Sequence, residues 1–114
     1  MKILDKPISK KELLKNSEVV FDECMVKGVV DVSKELLAID AQLHADLEQL
    51  FLESGSLQES LWGINLYPED DGEDFIEFDS MINIRPRQNN RSRGVESLEI
   101  RRKIMEVVQR WITE

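Results

Sequence analysis

LHADLEQLFLES, residues 43–54, is the stretch on which the architecture of this 114-residue chain turns. Leu43, Leu47, Leu50 and Phe51 recur at helical spacing among good helix formers. Against a helix, the segment runs through Gly55-Ser56 into the β-rich run Leu61 to Tyr67, and a Gly-Ser punctuation of that kind suits a hairpin connection. We read residues 43–54 as a strand, which makes the chain a continuous meander. A helix there would instead place an intervening element between two strands of the sheet.

Upstream, Ile8-Ser9-Lys10-Lys11-Glu12-Leu13 carries the signature of a helix start. Ser9 can accept from the backbone near Glu12 while the Glu12 carboxylate reaches back, with Ile8 and Leu13 in the staple positions. Met25 to Val32 is rich in β-branched residues and reads as a strand. Ser33-Lys34-Glu35 turns it into a second strand, Leu36 to Ala41, so the two form a hairpin.

Downstream, LWGINLY (61–67) is a strand closed by Pro68, which has no N–H to give to a ladder. Asp71-Gly72 supplies a tight turn. FIEFDSMINIR (75–85) then alternates, with Ile76, Phe78, Ser80, Ile82 and Ile84 against Phe75, Glu77, Asp79, Met81, Asn83 and Arg85, and reads as one long strand. PRQNNRSRG (86–94) is a loop by composition. A last helix opens near Ser97 and runs to about Trp111, with Ile100, Ile104, Val107, Val108 and Trp111 as its apolar stripe.

The length allows one domain, residues 1–114, with a single core. No run approaches the roughly 18 apolar residues of a membrane span, and MKILDKPISKK lacks the apolar stretch of a secretion signal. No membrane association and a cytoplasmic location are therefore expected. Cys24 is the only cysteine, which excludes an internal disulfide and a cysteine-based zinc cluster. With 23 acidic residues against 15 Lys plus Arg the net charge is −8, which disfavours broad nucleic-acid binding. The charge is nevertheless two-poled. Glu69, Asp70, Asp71, Glu73, Asp74, Glu77 and Asp79 fall in a segment without bases, and Arg85, Arg87, Arg91 and Arg93 in one without acids.

Three groups of residues could carry chemistry. If FIEFDSMINIR pairs with LWGINLY, then Asn65 and Tyr67 join Glu77, Asn83 and Arg85 on one face in one of two registers. Amide and guanidinium donors there could recognise a polar ligand, the competing reading being a salt-bridged outer face. The loop residues Asn90, Arg91 and Arg93 extend this set, since planar donors beside residues that tolerate left-handed backbone can wrap a phosphate or a carboxylate. Such a loop can equally be satisfied by the chain's own acids. Finally, His44, Asp46 and Glu48 alternate, so on a strand they would share one face as metal ligands or an acid/base group require. A solvated sheet face explains them as well. No Gly-x-Ser-x-Gly elbow, His-Glu-x-x-His pair or Cys-His couple is present, and no cofactor is expected.

The blocks LHADLE, LWGINLYP, FIEFDSMINIRP and NRSRGVE resemble a small single-domain family of bacteria and archaea defined only as a domain of unknown function. The similarity covers the chain from Ile8 to the last helix. It implies no catalytic residue, substrate or cofactor. Relatives carry Gly-Glu before LHAD, where this chain has Ala41-Gln42.

The fold expected is α+β: an antiparallel sheet of four to five strands with the N- and C-terminal helices packed on one face. The function expected is a non-enzymatic binding or regulatory module, using the polar sheet face and the arginine loop toward a protein or a small anionic ligand. The alternative is a small metal-assisted hydrolase or nuclease built on His44, Asp46 and Glu48. A homodimer joined through sheet edges or polar faces is a third reading.

Overall fold

The computed structural model describes residues 1–114. It is α+β, with a five-stranded antiparallel sheet in the order β1 (Lys2–Ile3), β4 (Leu36–Ile39), β3 (Val26–Asp31), β5 (Leu61–Leu66), β6 (Ile76–Glu77). A short parallel ribbon joins β2 (Ile8–Ser9) to β7 (Ile112–Thr113). The helices are α1 (Lys10–Asn16), α2 (His44–Glu53) and α3 (Leu98–Trp111).

The expected helix start is present in full. Glu12 N–H donates to Ser9 Oγ at 3.0 Å and Ser9 N–H to Glu12 Oε1 at 3.1 Å, which satisfies two of the N–H groups that a helix end leaves without partners. The β3–β4 hairpin also forms as expected, with Val30 opposite Leu37 and Val29 opposite Ala38. Val30, Leu37, Ile39, Trp62, Ile64 and Leu66 face α1 and α3, and they pack against Leu13, Ile104, Val107 and Val108. The N- and C-terminal helices therefore share one face of the sheet.

Residues 43–54 form a helix and not a strand. The other face of the sheet presents Val29, Ala38 and Leu61, which are apolar and must be covered. A helix brings Leu47 and Phe51, four residues apart, to one side and buries both completely against those residues. Each such side chain contributes about 2–3 kcal/mol. Gly55 is the stop signal of this helix and not a hairpin glycine. At φ 96° it occupies the left-handed region, its N–H donates to Leu52 O at 3.1 Å, and Ser56 N–H donates to Phe51 O at 3.0 Å, the Schellman pattern.

The long strand expected over 75–85 is likewise absent beyond Glu77. Ser80 Oγ accepts from Ile82 N–H and starts a 3-10 turn over Met81–Asn83, while Ser80 N–H donates to Arg93 O. Side chains take over where the strand ends. Gly63 N–H donates to Asn83 Oδ1 at 2.8 Å, Asn83 Nδ2 donates to Gly63 O at 3.0 Å, and Arg85 Nη2 donates to Leu61 O at 2.7 Å. The Asn83 amide thus reproduces the donor and acceptor of a missing strand residue. Gly63 is required for this approach, because a Cβ there would lie 2.5 Å from Ser80 Cβ.

Candidate functional site

The register of β3, β5 and β6 sets one polar row. Lys27 lies opposite Asn65, and Asn65 opposite Glu77, on the face that α2 covers. Tyr67, two residues beyond Asn65, joins the same side, as one of the two sequence registers requires. Asn65 Nδ2 donates to Glu77 Oε1 at 2.8 Å and to Asp79 O at 3.4 Å, and the Tyr67 hydroxyl donates to the same Glu77 oxygen at 3.1 Å. Asn65 is only 5 % exposed, yet its Oδ1 has no hydrogen-bond partner. Burial, and then the Glu77 carboxylate, hold the Tyr67 phenol above its ordinary range, with Glu23 and Asp79 adding to the effect. The corner is therefore rich in acceptors.

His44, the first residue of α2, closes the row from below. Its Nε2 lies 2.8 Å from Ile64 O; a carbonyl can only accept, so Nε2 carries the proton. Burial pushes the imidazole below its ordinary value of 6.5, the Ile64 carbonyl opposes that shift, and the charge of Lys27 reinforces it. The folded protein thus holds His44 neutral at a pH where the unfolded chain protonates it. The unfolded state then binds more protons, so stability falls as pH drops below about 6.5, toward the folded value. Urea titrations between about pH 5 and 7 should show this slope in the wild type and a smaller one in His44→Gln. Parallel curves for the two proteins would remove the assignment.

The other two members of the His44, Asp46 and Glu48 set do not meet it. On a helix each two-residue step turns by about 200°, so His44 points inward while Asp46 stands exposed. Glu48 accepts from Gln58 Nε2 at 3.4 Å. The shared face that a strand would have given is lost, and no group of three or more His, Cys, Asp and Glu is placed to hold a metal ion.

The arginine loop is built on Asn90. This buried side chain donates to Asn83 O, Ser92 O and Gly94 O, and it accepts from Glu96 N–H at 2.8 Å. Arg85 is half-buried: it donates to Gln58 O and Leu61 O and stacks 4.2 Å from the Trp62 ring centroid. Its Nε and the Trp62 Nε1 have no acceptor. Arg93 pairs with Asp79 at 2.6 Å. The loop does wrap a carboxylate, and that carboxylate is the chain's own Glu96, which accepts from Arg91 N–H at 2.6 Å and Ser92 N–H at 3.0 Å. These two bonds hold Glu96 below the usual carboxylate range. The guanidinium groups of Arg87 and Arg91 form no ion pair within the chain.

The structure accordingly divides the residues singled out in the sequence. Asn65, Tyr67 and Glu77 come together. Asn83, Arg85, Asn90 and Arg93 build the frame beside them, and Arg91 stands outside it. Lys27 and His44 join the first group from β3 and α2; Lys27 was detectable as the one basic residue inside a β-branched run, whereas His44 could be placed there only once residues 43–54 were known to be helical.

A family profile described as Protein of unknown function (DUF5674) matches residues 2–111, and the chain belongs to that family. No curated protein and no solved structure matches it.

Proposed function

We propose that this member of a family of unknown function is a non-enzymatic binding module that takes up a donor-rich group, such as an ammonium, a guanidinium or an amide of a partner protein, at Asn65, Tyr67 and Glu77. The observation that carries the reading is Asn65 Oδ1, an acceptor that is buried and unpartnered beside a carboxylate. Leaving such an atom unpaired costs about 1–3 kcal/mol, and a ligand N–H would recover that. Glu77 supplies the charge, since only its Oε1 is engaged by the chain. The arginine loop contributes as a frame: Arg93 holds Asp79, whose carbonyl fixes the Asn65 amide.

Amide NMR spectra recorded with methylguanidinium, acetamide and acetate test this. Methylguanidinium should shift Asn65 and Tyr67 most strongly, and Glu77→Gln should weaken it about tenfold, the value of one charge-assisted hydrogen bond. Equal responses to methylguanidinium and acetate would overturn the reading. The exposed Arg87 and Arg91 favour a second one, in which the loop takes a small anion. Inorganic phosphate would then shift residues 87–92 and leave Asn65 unmoved.

A further inference from the structure

Helix α3 carries a second stripe besides the buried one. Leu98, Arg101, Arg102 and Met105 lie beside it, and Leu98 is 75 % and Met105 39 % exposed. With Ile76 and Phe78 they line a groove of about 630 Å³ between α3 and the edge strand β6. That volume lies within the ~300–1,000 Å³ of ligand clefts. The groove is on the opposite face of β6 from Glu77, because Ile76 and Phe78 pack toward the α1–α3 side.

Three features define what fits it. The first is charge. In a chain of net charge −8, neither Arg101 nor Arg102 has an acidic partner within ion-pair distance. Arg101 is aimed by its Nε–H bond to Val95 O and by the Phe78 ring, whose centroid lies 4.9 Å from its guanidinium carbon, while the guanidinium of the exposed Arg102 donates to no group of the chain. Second, six of the thirteen lining residues are apolar, and of the two acids that share the groove with them, Glu73 and Glu114, the latter is paired with Lys10. Third, the sheet ends at β6. Tyr67 N–H donates to Phe75 O, so the alternation of an antiparallel ladder turns the N–H and C=O of Ile76 away from β5, where no strand meets them.

We propose that this groove docks an extended peptide segment of a partner protein in which an acidic residue adjoins apolar ones. One residue of the segment pairs with the Ile76 backbone, its apolar side chains cover Leu98 and Met105, and its carboxylate is received by Arg102 with Arg101 beside it. A membrane surface is the poorer match, since Glu73 and Glu114 line the same groove: a peptide sets its carboxylate locally against Arg102, whereas a plane of anionic headgroups would meet these acids and the adjoining acidic turn as well.

The test uses synthetic octapeptides of alternating Val and Thr that end in Asp-Asp, the Lys-Lys counterpart, and the Asp-Asp peptide N-methylated at its central residue. Phosphatidylglycerol vesicles are included as a separate probe. The Asp-Asp peptide should shift the amides of Ile76 and of residues 98–105 and bind about tenfold more tightly than either other peptide. Arg102→Glu, an exposed change that leaves the fold intact, should abolish that preference and raise the affinity of the Lys-Lys peptide. Equal affinities for the Asp-Asp and Lys-Lys peptides, shifts outside the groove, a response to vesicles alone, or no binding at about 1 mM peptide would each overturn the proposal. Glu77→Gln should leave the peptide affinity unchanged, which keeps the outcome separate from that for the Asn65 corner.

Discussion

Asn83→Ala is expected to lower the stability of the protein by about 3–5 kcal/mol, a large part of the ~5–15 kcal/mol that holds a domain of this size. The truncation removes an acceptor from Gly63 N–H and a donor from both Gly63 O and Arg93 O. All three are backbone groups near a buried strand, and each loses a partner in one step. Asn83→Asp is the sharper variant. Its first oxygen still accepts from Gly63 N–H, but its second replaces a donor that faces two carbonyl oxygens, so it should destabilise at least as much as alanine despite its matching shape. Urea unfolding measures both, and hydrogen exchange at the Gly63 amide reports the edge directly. A loss below about 1 kcal/mol for both variants would show that water replaces the amide at no cost.

Gly63→Ala is expected to cost about 3 kcal/mol. The added methyl would stand 2.5 Å from Ser80 Cβ and 2.6 Å from Ser80 Oγ, with Ile82 Cγ1 at 3.2 Å. Ser80 cannot yield freely, since its N–H is tied to Arg93 O and its Oγ starts the turn that aims Asn83. The clash therefore displaces the Asn83 amide as well. Adding Ser80→Gly removes the two closest contacts, and the double variant should recover at least about 1 kcal/mol relative to the sum of the single ones. Strict additivity in that cycle would place the damage somewhere other than the Gly63–Ser80 contact.

The sequence was most legible where local chemistry and tertiary packing agree. The Ser9–Glu12 capping box, the β3–β4 hairpin and the stripe of α3 follow from spacing and residue type, and the pairing of Asn65 with Glu77 is one of the two registers that alternation allows. Residues 43–54 misled because Gly55 has the same appearance at a hairpin and at the end of a helix. The deciding fact, a bare apolar sheet face awaiting Leu47 and Phe51, is a property of other segments. Residues 75–85 misled for the opposite reason. Their alternation continues past Glu77, but Asn83 and Arg85 replace ladder bonds with side-chain ones, and a polar residue that acts as backbone looks in sequence like a polar residue on a face. The row of Asn65, Tyr67 and Glu77 was visible in the sequence, whereas the groove along α3 was hidden because Leu98 and Met105 look there like ordinary helix residues.

The side-chain plug on β5 has a bearing on solubility. Leu61-Trp62-Gly63-Ile64-Asn65-Leu66 carries no charge, is strongly β-forming, and has the length and composition from which cross-β stacks grow. One of its edges is occupied by β3 along its whole length, but β6 covers only Asn65 and Leu66 on the other. Over Leu61 to Gly63 the Asn83 amide and the Arg85 guanidinium stand between this hexamer and an identical strand of another molecule. They end the hydrogen-bond row in groups that no third strand can continue, so the polar residues of the DSMINIR block act as gatekeepers against fibre growth.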